Sequence, residues 1–122
     1  MTDFSKFKTE EGIPIYLQII SFVKSGIMAG EIQNGDELPS RRVLSALLGV
    51  NPNTVQKAYH LLEEEGIIVS QAGAKSNISV NDKTVALIKA ELTESRIKTA
   101  VNWVKQMGLS KEEAMSLIER YW

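Results

Sequence analysis

The stretch Ser40-Arg41-Arg42-Val43-Leu44-Ser45-Ala46-Leu47-Leu48-Gly49-Val50-Asn51-Pro52-Asn53-Thr54-Val55-Gln56-Lys57-Ala58-Tyr59-His60-Leu61-Leu62, followed by Glu63-Glu64-Glu65-Gly66, decides the architecture. Ser40 is a good N-cap, because its hydroxyl can satisfy an unpaired N–H of a first helical turn. Val43, Leu44, Leu47 and Leu48 then predict a helix of about two turns that stops at Gly49. Asn51-Pro52 repeats the start signal almost at once, a capping asparagine followed by proline at the first helical position. In this next helix Val55, Ala58 and Leu62 share a buried face, whereas Asn53, Gln56, Lys57 and His60 fall at i, i+3, i+4 and i+7 on another. Gly66 reads as a left-handed stop, with Ile67 as the apolar residue that follows it.

Upstream, Pro14 suits the first position of a helix, and Ile15, Ile19, Val23 and Ile27 form one stripe that should end near Gly30. Asn34-Gly35 signals a turn, and Leu38-Pro39 an extended link. Downstream, Ile67 to Gln71 and Asn77 to Val80 read as two strands around Ala72-Gly73-Ala74-Lys75-Ser76, a β-hairpin wing. From Asn81 the pattern becomes helical, with one run from Lys83 to Met107 ended by Gly108 and Leu109. A capping box, Ser110 with Glu113, opens the next, in which Ala114, Leu117, Ile118 and Tyr121 form the apolar side. The expected fold is mainly α: a winged helix-turn-helix domain of three helices plus a β-hairpin over residues 1–80, then an α-helical hairpin over 81–122.

Bulk properties narrow the function. The 122 residues are 43% hydrophobic and 24% charged, which is globular usage. Without cysteine there is no disulfide framework, thiolate nucleophile or cysteine-held metal, and a reducing, cytoplasmic location is expected. Met1 to Gly12 lacks the pattern of a secretory signal. The apolar stretch Ile13 to Val23 is interrupted by Gln18 and bounded by Lys24, about half of a bilayer span, so it reads as a buried helix and no membrane contact is expected. A single histidine leaves a metal site without partners, and no P-loop or dinucleotide fingerprint is present, so neither an enzyme nor a cofactor is expected. The net charge of -1 conceals an uneven placement. Between Leu38 and Leu62 no acid occurs, while Arg41, Arg42 and Lys57 do; Glu63, Glu64 and Glu65 then follow.

That placement suits double-stranded DNA. The major groove admits one helix whose N-terminal residues meet base edges, so that end must be polar and free of carboxylates that phosphates would repel. Asn51, Asn53, Thr54, Gln56 and Lys57 meet the requirement, with His60 further along the same side. Arg41 and Arg42 are expected at phosphates. The three glutamates are expected to form a solvated helix end directed away from the duplex. A protein-interaction module is the rival reading, separable by salt, because DNA binding releases counterions.

In its order of residues the chain resembles the GntR family of bacterial regulators. The resemblance runs from Pro14 to about Val80, through Pro14-Ile15-Tyr16-Leu17-Gln18-Ile19, Gly35-Asp36-Glu37-Leu38-Pro39-Ser40-Arg41-Arg42-Val43-Leu44, Val50-Asn51-Pro52-Asn53-Thr54-Val55-Gln56-Lys57-Ala58-Tyr59 and Leu62-Glu63-Glu64-Glu65-Gly66. The short helical tail looks like that of the YtrA branch, which implies a homodimeric repressor, often of a transporter operon. It implies phosphate and base contact for Ser40 and Arg42, which match the family's Pro-Ser-x-Arg, with Arg41 at the variable position. It implies base or backbone contact for Asn51, Asn53, Thr54 and Gln56, and minor-groove contact for Ala72 and Gly73 at the wing tip. Lys75 stands where a second glycine is usual, a departure from the family pattern in the wing.

The tail carries more apolar residues than a lone hairpin can cover: Val85, Ile88, Leu92, Ile97, Val101, Trp103, Val104, Leu117, Ile118 and Trp122. A second subunit is the expected cover. Two-fold symmetry would then call for a palindromic site. Such a hairpin is not expected to enclose a pocket of about 300 Å³, so a small ligand would need a cleft between subunits or domains.

Overall fold

A computed structural model describes residues 1–71 and 75–122. Its elements are α1 (Ile15–Met28), β1 (Glu37–Leu38), α2 (Arg41–Leu48), α3 (Pro52–Glu64), β2 (Ile68–Ser70), β3 (Ser76–Ile78), α4 (Asp82–Gln106) and α5 (Lys111–Tyr121). Packing divides the chain into two compact units, Met1–Lys89 and Ala90–Trp122, and the division falls inside α4.

The first unit is built on α3, against which α1 and α2 both pack. Ile19, Val23 and Ile27 of the α1 stripe are buried, as are Leu44 of α2 and Val55, Ala58, Tyr59 and Leu62 of α3. Ile15, the first residue of the stripe, is only half-buried. Gly26 makes a close approach: a Cβ there would lie 2.4 Å from Ile32 Cδ1, so glycine lets the buried Ile32 side chain pack directly on α1. α3 ends as its sequence predicts. Gly66 takes φ +75°, its N–H bonds to Glu63 O, the Ile67 N–H bonds to Leu62 O, and Ile67 is buried. α2 departs from its pattern, since Val43 and Leu47 remain 48% and 68% exposed. Helical spacing marks an apolar face but not what covers it.

The hairpin forms with Ile68 opposite Ile78, Val69 opposite Asn77 and Ser70 opposite Ser76. The link read only as extended supplies a third strand, β1, antiparallel to β3, giving the order β1-β3-β2. The segment ahead of α1 is also anchored, although its sequence is mostly polar. Thr2 N–H donates to Glu37 O at 2.7 Å, and Phe4 is buried, stacked 5.0 Å from Phe22. Gln18 ties the same segment to α1: its side-chain oxygen accepts from Glu10 N–H at 2.8 Å, and its amide donates to Ile13 O at 2.7 Å.

In α4, Ile88 is buried within the first unit and Val85 half-buried. In the second unit the end of α4 turns at Gly108, φ +76°, into α5. The capping box is formed: Ser110 Oγ accepts from Glu113 N–H and Glu113 Oε1 accepts from Ser110 N–H, both at 3.1 Å. The Ser110 backbone N–H first, and its hydroxyl second, hold the Glu113 carboxyl below the ordinary glutamate range. Among the apolar residues of this unit only Ala114 is buried. Ile97, Val101 and Val104 of α4 and Ala114, Met115 and Ile118 of α5 line an open apolar groove of about 610 Å³. No helix among the described residues is long and apolar enough to cross a membrane.

Candidate nucleic-acid interface

α2 and α3 meet across Gly49, which takes φ +67° and closes α2, while Val50 N–H bonds back to Ser45 O. Both helices start with a side-chain cap. Ser40 Oγ accepts from Val43 N–H at 3.1 Å, and Asn51 Oδ1 accepts from Asn53 N–H at 2.8 Å. Each cap uses only the oxygen, so the serine hydroxyl proton and the asparagine NH₂ stay available as donors. Neither helix has an acid in its own first turn, so two positive helix ends and two sets of polar donors are presented.

On α3, Asn53, Gln56, Lys57 and His60 are exposed and Thr54 is half-buried. Lys57 Nζ lies 4.0 Å from the ring centroid of Tyr16, a cation–π contact that steers its stem toward α1. His60 Nε2 lies 3.0 Å from Glu64 Oε1. Arg42 is exposed, and its side chain has no partner among the described residues. Arg41 differs: its Nη2 lies 2.9 Å from Glu63 Oε1 and its guanidinium lies 5.2 Å from the centroid of the Tyr59 ring. Glu63 Oε1 also accepts from the Ser70 hydroxyl on β2. Tyr59 donates to Pro39 O at 2.6 Å, and burial pushes its phenol well above the ordinary tyrosine range, with the Arg41 charge opposing.

Of the glutamate run, Glu64 and Glu65 are exposed as expected of a solvated end, whereas Glu63 is half-buried, and all three are engaged. Glu63 joins α3 to α2 and β2, Glu64 pairs with His60, and Glu65 Oε2 lies 2.8 Å from Lys24 Nζ on α1. Lys24 is only 5% exposed, and the Glu65 carboxylate offsets part of the cost of burying its charge. Lys24, expected only to bound an apolar stretch, and Glu63, expected only in a solvated helix end, are joined to other elements instead, and Ser70 carried no signal in the sequence. The one local signal was a lysine directly after the apolar stripe residue Val23.

In the wing, Gln71 N–H bonds to Lys75 O at 2.9 Å, and Lys75 is exposed just ahead of β3. Ala72 and Gly73 lie outside the described residues. Among the described residues no group of three or more His, Asp or Glu side chains is placed to hold a metal ion.

Three helices packed with a small antiparallel sheet, a capped and acid-free helix on the surface and a β-hairpin after it define a winged helix-turn-helix DNA-binding protein. The chain belongs to the GntR family of bacterial regulatory proteins, whose sequence profile matches residues 15–76. It is similar to the uncharacterised helix-turn-helix transcriptional regulator YhcF of Bacillus subtilis, 34% identical over 88% of this chain and 89% of that protein. It is also similar to the transcriptional repressor YtrA of Bacillus subtilis, 46% identical over 66% of this chain and 61% of the repressor. Among solved structures, a GntR family regulator from Listeria monocytogenes superposes with a TM-score of 0.78, at 27% identity over 92% of this chain and 98% of that one. YtrA from Sulfolobus acidocaldarius, a GntR-family transcription factor, gives 0.56 at 33% identity over 95% and 94%. The chain is a transcription regulator, not an enzyme.

Proposed function

We propose that this regulator is a homodimeric repressor that lays α3 into the major groove of each half of a palindromic operator. The carrying observation is the surface formed by the first turns of α2 and α3, where Ser40, Arg42, Asn51, Asn53, Thr54 and Gln56 present donors and no acid. Arg42 supplies phosphate binding and sets the register, while Asn53 and Gln56 read base edges. Ala72, Gly73 and Lys75 serve the minor groove. Residues 1–80 act as the DNA-binding domain and 81–122 as the dimerising tail. The similarity to YtrA, a repressor, favours repression; the resemblance to the YtrA branch makes transporter operons the first targets to test.

Selection of fragments bound from genomic DNA by the purified protein tests the reading. Recovered fragments should share an inverted repeat whose half-sites lie about one helical turn, or a multiple of it, apart. Enrichment of unpaired, asymmetric sites, or none at moderate salt, would sink it.

A further inference from the structure

The acid-free window ends at Glu63, and that carboxylate lies beside the start of α2. Arg41 Nη2 holds its Oε1 at 2.9 Å, and the Ser70 hydroxyl donates to the same oxygen. Arg41 is turned back over Tyr59, with its side chain 27% exposed and its Nε buried without an acceptor among the described residues. Its neighbour Arg42 is exposed and unpartnered there, as a phosphate ligand should be. Adjacent arginines therefore do different work. The guanidinium that touches Glu63 belongs to the residue between Ser40 and Arg42, so this carboxylate lies one arginine side chain away from the first turn of α2. Left bare, a charge at that place repels the DNA backbone.

We propose that Arg41 is a positioning residue of the DNA interface that masks Glu63, and that it does not itself bind phosphate. The masked carboxylate is then free to tether β2 through Ser70, so one ion pair neutralises an unfavourable charge and joins α2, α3 and the base of the wing. This rests on the reading that the start of α2 faces phosphate, a premise with its own control in Arg42.

The test compares wild type, Arg41→Met, Arg41→Met with Glu63→Gln, and Arg42→Ala with and without Glu63→Gln, each bound to a selected duplex over a salt series. Methionine keeps an aliphatic stem over Tyr59, and Arg41→Gln, which can still donate to Glu63, is the second variant. Arg41→Met should weaken binding about tenfold by unmasking a like charge. Adding Glu63→Gln should bring affinity back to within about threefold of wild type, a recovery that simple loss of packing does not give. Arg42→Ala should lower the salt slope by about one and should not be recovered by Glu63→Gln. A double variant as weak as Arg41→Met would make Arg41 a phosphate ligand and overturn the proposal, as would wild-type binding by Arg41→Met. An unchanged slope in Arg42→Ala would instead overturn the premise about α2.

Discussion

The two units of this chain treat apolar surface in opposite ways. In Met1–Lys89 a filled core gathers around α3, and Ile19, Val23, Leu44, Val55, Tyr59 and Leu62 are completely covered, although Leu47 and Leu87 stay exposed. In Ala90–Trp122 the large apolar side chains face outward, with Trp103 68%, Tyr121 79% and Trp122 101% exposed, and an apolar groove runs beside them. A unit with a filled core is self-sufficient, whereas one that leaves its aromatics in water gains stability by meeting another surface. The contrast favours the proposed division of labour, DNA reading by the first unit and assembly by the second.

Cutting the chain after Lys89 is the harshest way to break that contrast. Ile88 stays in place, so the shortened protein should melt cooperatively while its affinity for a palindromic duplex falls about 10²- to 10⁴-fold, because the second half-site is no longer reached intramolecularly. Gel-shift titration and sedimentation of both forms would check this, and a truncated chain that remains dimeric would defeat it. Next in size, Leu44→Ala should cost about 2–5 kcal/mol in denaturant unfolding, the usual result of emptying a packed site. Ile118→Ala should leave the unfolding of the first unit unchanged and instead raise the dimer dissociation constant.

Within the first unit, Gln56→Ala should change preference at a single base pair by about 1–3 kcal/mol in competition against operator variants. Equal losses on every variant would demote Gln56 to a backbone contact. The smallest effect concerns α5. Because Ser110 holds the Glu113 carboxyl below its unfolded value, the cap contributes stability above the ordinary glutamate range and loses it as pH falls through the depressed value. The protection of the Glu113 amide, its exchange rate taken relative to the intrinsic rate at each pH, should fall over that acid interval, and Glu113→Gln should remove that fall.

What could be read without coordinates was what neighbouring residues determine. Ser40, Asn51-Pro52, Gly49, Gly66 and the Ser110–Glu113 box act within one helical turn, so α2, α3 and α5 were legible almost to their ends. The exposed face carrying Asn53 and Gln56 followed from the same periodicity. What escaped depends on pairings across the chain. β1 exists only because Glu37 and Leu38 meet Asn77 and Ser76. Phe4 is buried against Phe22, eighteen residues away, and Lys24 pairs with Glu65, forty-one residues away. Arg41 and Arg42 look alike in sequence; Tyr59 and Glu63 separate them. Periodicity likewise marked Val43 and Leu47 as a face of α2 without showing that it lies in water.

The central claim is that two recognition helices, held by one dimer, read two halves of a site. Titrating the full-length chain with a selected palindromic duplex, and with the same duplex after one half-site is scrambled, tests it most directly when stoichiometry and affinity are both recorded. The account predicts two protomers on each palindrome and an affinity at least about 10²-fold above that for the scrambled duplex. One protomer per duplex, with equal affinity for both, would contradict it.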